Sequence, residues 1–265
     1  TLLKHADTAL YHAKNSGRDN VKVYSAAVTD RLRRRMELDA SLRVALERDE
    51  FQLVYQPQIE VATGRVCSVE ALIRWQHPVR GVVSPVEFIP LAEETGLIHE
   101  IGRWVLRTAC ADAVRWNSAG APVAVAVNLS PLQFRTAGLA QQVMDVLAAT
   151  GLAPQLLEIE ITEGVLMDST ADARSTLQAL RDQGVRTALD DFGTGYSSLA
   201  YLTRMPIGKI KIDRYFVAGL LSGRDNAAIV RAILAMADSL DMDVTAVGVE
   251  TLPQAQALPA MAWGY

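Results

Sequence analysis

Hydrophobic and polar positions along this chain change period repeatedly. The runs 51–59 (FQLVYQPQI), 66–75 (VCSVEALIRW), 123–130 (VAVAVNLS), 156–163 (LLEIEITE), 186–193 (RTALDDFG), 209–217 (KIKIDRYFV) and 244–250 (VTAVGVE) read as strands. Between most of them lie helix-like segments, clearest at 98–116, 137–150, 171–183 and 226–240. The last carries Ile229, Ile233, Met236 and Leu240 at helical spacing. Gly120, Gly151 and Gly184 follow three of the helices, where a glycine commonly closes the last turn. This repeated alternation predicts an α/β fold built on a parallel sheet. Closure into a (β/α)8 TIM-like barrel is the first expectation. A doubly wound open sheet is the alternative, although no GxGxxG follows the first strand.

Two strands carry a second pattern. KIKID sets Lys209, Lys211 and Asp213 against Ile210 and Ile212. LEIEITE sets Glu158, Glu160 and Thr162 against Ile159, Ile161 and Glu163. In an α/β domain both faces of the sheet are covered, so the polar face does not simply look at water. The apolar face meets helices, and the polar face lines the barrel interior near its mouth. Charges there need partners or a metal ion. An antiparallel sheet with one wet face would show the same alternation, but the intervening helices weigh against it.

Composition narrows the class. Half of the 265 residues are hydrophobic, about a fifth (21%) are charged, and the net charge is −4. That suits one large domain and offers no basic surface for a nucleic-acid polymer. The basic run 31–35 (RLRRR) reads as a solvated helix face. Cys67 and Cys110 are the only cysteines, with no CxxC pair, so neither a disulfide framework nor a thiolate zinc site is expected. No apolar run reaches the roughly 20 residues of a membrane span. A cytoplasmic setting with no membrane contact by this segment is expected. The chain opens on Thr1 rather than Met, which reads as part of a longer protein.

The polar groups near the carboxyl ends of the runs are Glu70, Asn128, Glu160, Asp190, Asp191 and Lys211. They come from separate βα units, as barrel active sites do. Hard oxygen donors with no His or Cys suit Mg²⁺ or Mn²⁺. Adjacent aspartates can divide between two ions, a device common in phosphodiester hydrolysis. A lone acid at a strand end is usually a helix cap or a surface charge, and Gly193 and Gly195 alone would mark an ordinary tight turn. The set of acids together is harder to explain that way.

These residues stand in motifs. EALIRW (70–75), FIPLAEETGLI (88–98), VNLS (127–130), EITE (160–163), DDFGTGYSSL (190–199), KIDRYFV (211–217) and GVET (248–251) together resemble the EAL domain of bacterial cyclic-di-GMP phosphodiesterases. The resemblance covers roughly 31–265, and the EAL domain is assigned to 26–265. The segment 1–25 resembles the tail of a GGDEF (diguanylate cyclase) domain without the GGDEF motif itself, which implies a tandem parent protein. The family resemblance implies a (β/α)8 barrel with an irregular first strand and hydrolysis of cyclic-di-GMP to linear pGpG with Mg²⁺ or Mn²⁺. It implies Glu70, Asn128, Glu160 and Asp190 as ligands of one ion, and Asp190 and Asp191 around a second. It places Lys211, Glu163 and Glu250 in the catalytic set, with Lys211 beside the attacking water and Glu163 anchoring the DFGTGYSS loop. It places Arg74, Leu72 and Asp213 with the substrate, Arg74 as the phosphate-binding group. It also implies a homodimer through the loop 191–202 and the following helix.

Two departures from the family pattern stand out. The motif E-G-V-E is present as Val247-Gly248-Val249-Glu250. The family glutamate at position 247 ligates the second metal or acts as general base, and valine does neither. Impaired hydrolysis and a weakened second metal site are therefore expected. The other departure is at the end, where LPQAQALPAMAWGY fits the family's next helix and stops before its last strand, so the barrel is expected to lack its final strand and helix. A receptor that binds cyclic-di-GMP without cutting it, or a dimerising signalling module, is the alternative function. A sugar-phosphate aldolase barrel would want a Schiff-base lysine among fewer acids.

Overall fold

The computed structural model of the chain describes residue 10 and residues 26–120, 122–167, 171–195 and 202–262. Apart from Leu10, the segment assigned to a GGDEF tail lies outside the described residues. Two compact units are present: one holds the described residues up to Phe51 with Trp75–Thr95, the other Gln52–Arg74 with the described residues from Gly96 on.

In the smaller unit, helix α1 (Ala26–Ala45) buries Leu38, Leu42 and Ala45 and leaves Arg33, Arg34 and Arg35 exposed. Arg33, Arg34 and Arg35 thus lie on the solvated face that the sequence predicts for this run. The end of strand β2 (Val66–His77) turns back antiparallel into strand β3 (Gly81–Val83), with Trp75 opposite Val83. His77 Nδ1 accepts from the amides of Val79 and Arg80 and fixes the turn. Helix α2 (Pro85–Thr95) follows. Phe51, Trp75 and Phe88 pack ring against ring at 5.7–5.9 Å, and the Trp75 indole N–H donates to Glu50 Oε2 at 2.9 Å. The buried indole therefore keeps no unpaired polar atom. Neither β3 nor α2 is evident from periodicity: β3 has three residues, and Pro90 interrupts the helical signal of α2.

The larger unit carries the sheet. Its path runs β1 (Phe51–Ile59), β2, β4 (Ala124–Asn128), β5 (Leu157–Thr162), β6 (Arg186–Phe192), β7 (Lys209–Ile212), β8 (Asp243–Ala246). Every neighbouring pair from β2 to β8 on this path is parallel. The connections hold α3 (Ile98–Ser118), α4 (Pro131–Phe134), α5 (Leu139–Thr150), α6 (Glu163–Met167), α7 (Ala171–Asp182), α8 (Arg214–Ala218), α9 (Arg224–Ser239) and α10 (Leu252–Ala262). This is the α/β, TIM-like arrangement that the alternation predicts. Gly120, Gly151 and Gly184 all have positive φ, as helix-closing glycines do. Among the described residues no helix is long and apolar enough to cross a membrane.

The alternation in β5 and β7 does what the sequence implies. Ile159, Ile210 and Ile212 are fully buried on one face. On the other, Lys209 Nζ pairs with Glu158 at 2.7 Å, and two residues further along both strands Lys211 pairs with Glu160 at 2.6 Å. The polar face is thus an interior of ion pairs, not a wetted surface.

Two element boundaries and one buried helix face differ from the sequence reading. The run 209–217 is strand only to Ile212, because Asp213 accepts from the Tyr215 amide at 2.8 Å and starts α8. The run 244–250 leaves the sheet after Ala246, just before Gly248 with φ +78°. On α9 the buried stripe is Val230, Ile233 and Ala237, while Ile229 is 39% exposed. The helix touches β7 and β8, and the small Ala237 is fully buried.

The two thiols differ sharply. Cys110 in α3 is fully buried and burial pushes its thiol up to about 12, whereas Cys67 is exposed. Native protein should therefore release one equivalent of thionitrobenzoate quickly from Ellman's reagent and the second only in denaturant. Two fast equivalents would contradict the packing of α3.

Candidate active site

The parallel strands end together, and their last residues meet. Asn128 ends β4 opposite Glu160 of β5, and Thr162 lies opposite Asp190 of β6. Lys211 Nζ donates to Glu160 Oε2 at 2.6 Å, to Glu70 Oε2 at 3.0 Å and to Asp190 Oδ2 at 3.0 Å. Asn128 Nδ2 donates to Glu70 Oε1 at 2.7 Å. Glu160 and Lys211 are almost wholly excluded from solvent. The structure thus brings Glu70, Asn128, Glu160, Asp190 and Lys211 into one cluster.

Electrostatics follow from the crowding. Burial raises the Glu160 pKa, the charges of Glu70 and Asp190 add to this, and Lys211 opposes it. Burial alone would lower the Lys211 pKa, but Glu160, Asp190 and Glu70 outweigh it and keep the ammonium protonated. Glu160 Oε1 is buried with no hydrogen-bond donor among the described residues. Ligand atoms of Glu70, Glu160 and Asp190 lie within 4.8 Å of one another. A buried, undonated carboxylate oxygen in an all-oxygen set fits a hard divalent cation. The cluster can therefore hold a metal ion.

Asp190 and Asp191 share this end of the sheet through a bulge. Leu189 pairs with Ile210 and Phe192 with Ile212, so two aspartates face Lys211 alone. Regular pleating would send the two side chains to opposite faces. A bulge re-aims them. Asp191 takes φ +55°, which aspartate tolerates better than most residues, and its amide donates to Asp190 Oδ1 at 2.9 Å. Burial raises the Asp191 pKa, as do the charges of Asp190 and Asp213.

The other sequence candidates are more dispersed. Glu163 is buried, and its Oε1 accepts from the Gly193 amide at 2.9 Å. Its Oε2 has no donor among the described residues and lies where any side chain at Gly195 would collide with it. Residues 196–201 of the loop assigned to dimer contacts lie outside the described residues. Arg74 is half-buried and, among the described residues, donates through Nη1 to the carbonyl of Ile73 at 2.8 Å. Leu72 lies between Glu70 and Arg74 on β2 and is half-buried. Asp213 caps α8 beside Asp191. Glu250 is exposed next to the start of α10, outside the carboxylate cluster. Val247 directly follows β8, half-buried, its amide donating to Ile212 O at 3.0 Å. A cavity of about 220 Å³ among α3, α4 and α5 shares no residue with the cluster.

Gln254 is a polar residue that the sequence reading passes over. It is 8% exposed, and its Oε1 accepts from the amides of Glu250 and Thr251 at 2.9 and 3.0 Å. Thr251 Oγ1 accepts in return from the Gln254 amide at 3.4 Å. The available signal was the spacing T-x-x-Q, a capping box.

Comparison with known proteins agrees with this geometry. Residues 39–265 match the EAL domain family. An uncharacterized signaling protein of Caulobacter vibrioides is 47% identical over 96% of this chain and 31% of its own length. The bifunctional diguanylate cyclase/cyclic di-GMP phosphodiesterase MucR of Pseudomonas aeruginosa is 43% identical over 97% of this chain and 38% of its own length. The solved PaMucR phosphodiesterase in complex with c-di-GMP superimposes with a TM-score of 0.82 at 45% identity, over 85% of this chain and 92% of that one. The chain therefore spans well under half the length of such curated relatives. With its sequence motifs, its parallel sheet and its cluster of strand-end acids, the chain belongs to the EAL domain family.

Proposed function

We propose that this chain is a cyclic-di-GMP phosphodiesterase domain by descent, converting c-di-GMP to linear pGpG, with hydrolysis held down by Val247. The observation that carries the reading is the convergence of Glu70, Asn128, Glu160 and Asp190 around Lys211. Relatives described as a phosphodiesterase and as c-di-GMP complexes support the substrate class. The segment 1–25 is read as the end of a GGDEF domain in the parent protein, in keeping with a relative that joins both activities.

Glu70, Asn128, Glu160 and Asp190 would hold one Mg²⁺ or Mn²⁺, and Asp190 with Asp191 would contribute to a second. When bound, such an ion polarises a phosphoryl oxygen and lowers the pKa of a water. In the overall reaction a water oxygen bonds to phosphorus, one ester P–O bond breaks, and the departing ribose oxygen gains a proton. Lys211 keeps its proton, holds three carboxylates to one point, and offsets negative charge as it builds on the phosphate. Arg74 uses one N–H on Ile73 O, which leaves the rest of its planar fork for a phosphate. Glu163 ties the loop after β6 to the site through Gly193. Position 247 supplies no proton acceptor.

A second reading, a receptor that binds without hydrolysis, is favoured by Val247 itself. Turnover of c-di-GMP with Mn²⁺, measured beside equilibrium binding with Ca²⁺, separates the two. We expect binding in calorimetry and slow turnover; no binding at all would overturn both. Arg74→Ala should weaken binding at least tenfold with little change in melting temperature, because a charge-assisted phosphate contact is lost from a side chain that, among the described residues, bonds its own strand. Unchanged affinity would remove Arg74 from the site. The reading also includes a homodimer, which light scattering checks.

A further inference from the structure

We infer that Gln254 is a positioning residue for the proposed reaction, holding residues 247–251 against the turn that follows β7. The inference rests on the phosphodiesterase reading. Residues 247–251 link β8 to α10, and Val249 and Glu250 within them are exposed. Three contacts fix this segment. The Val247 amide donates to Ile212 O at the end of β7. Gly248, at φ +78°, lets the chain lie against α8, since a Cβ there would stand 2.7 Å from Arg214 Cβ. Gln254 supplies the third.

A capping box needs only the glutamine oxygen and the amide of its own residue. Gln254 does more. Its oxygen also takes the amide of Glu250, one residue before the cap, and its Nε2 donates to Val217 O of α8 at 3.2 Å. One buried amide group thus joins the first turn of α10 to the helix that Asp213 starts. Asp213 and position 247 follow neighbouring strands, so the same bridge fixes their spacing. A surface cap would leave its amide nitrogen to water; this one is buried and satisfied on both sides.

The test compares Gln254→Leu, Gln254→Glu and Gln256→Leu, each in the Val247→Glu background. Gln256 is exposed on the same helix and controls for general effects on α10. In Gln254→Leu the amides of Glu250 and Thr251 should exchange hydrogen at least tenfold faster, and kcat for c-di-GMP with Mn²⁺ should fall at least tenfold with KM within twofold. Gln254→Glu keeps the acceptor and loses the donor to Val217 O; it should protect both amides yet leave kcat low. Gln256→Leu should change neither. Unchanged exchange or unchanged kcat in Gln254→Leu overturns the inference, as does a kcat loss that merely tracks the unfolded fraction seen by circular dichroism. Full kcat in Gln254→Glu overturns the link to α8. If the Val247→Glu parent shows no turnover, the phosphodiesterase reading fails and the positioning role falls with it, while the exchange data still decide whether Gln254 holds the segment.

Discussion

Replacing Val247 by glutamate should raise the rate of the proposed cyclic-di-GMP hydrolysis about a thousand-fold, or about 4 kcal/mol of barrier. The position is well placed for that effect. It follows β8, whose Thr245 lies opposite Lys211, and its backbone is bonded to the end of β7. A carboxylate there adds an oxygen donor and a proton acceptor at the end of the sheet where Asp190, Asp191 and Lys211 already lie. Valine brings branched hydrocarbon instead. Val247→Gln separates the two contributions, since it restores a donor oxygen without a usable base and should recover only part of the rate. Substrate affinity should move much less, because Arg74 and the cluster on β2, β4 and β5 are untouched. Single-turnover kinetics with Mn²⁺ is the measurement. Equal rates for the valine and glutamate proteins would show that position 247 does not take part.

Removing Lys211 should be the most damaging single change to stability. Its ammonium meets three carboxylates, one of them fully buried. Lys211→Met fills the space and leaves the acids with one another. Breaking a buried charge pair in this way costs about 3–5 kcal/mol, which for a domain of this size is a fall in Tm of roughly 6–20 °C. The pH dependence has a definite sign. Burial and neighbouring acids already raise the Glu160 pKa in the folded protein, and losing Lys211 raises it further. A carboxyl with a raised folded pKa binds a proton on folding, so the penalty is full above that pKa. It shrinks as pH falls toward the unfolded value near ~4.3. The gap between variant and parent should therefore narrow on acidification, and Mn²⁺ should narrow it at neutral pH. Denaturant titrations at several pH values, with chelator and with Mn²⁺, test this. A gap that is constant across all of them would mean that the acids are not electrostatically joined through Lys211.

The alternation in KIKID and LEIEITE was enough to place Glu160 and Lys211 inside the sheet, because a two-residue period with charges on one face has few other homes in an α/β fold. The strand-end acids were legible for the same reason. Three features were not. The bulge at Asp190 and Asp191 has no local signature beyond the pair itself, and simple pleating would have split them. The turn into α8 was hidden because RYFV continues the apolar run of β7, so only the Asp213 cap marks the change. The bridging role of Gln254 was missed because one of its partners comes from a different helix; its spacing announces a cap but not the carbonyl of Val217.

The ion pairs of β5 and β7 form two successive levels of unequal electroneutrality. At the lower level Glu158 and Lys209 cancel. At the upper level Glu70, Glu160 and Asp190 face a single ammonium and stay two negative charges in excess when all are ionised. Two protons or one divalent cation close that deficit, whereas Na⁺ or K⁺ leaves half of it standing inside a poorly solvated site. On the proposed reading the lysine would thus set the charge that an ion bound to these three acids must bring: without it they would demand three positive charges rather than two.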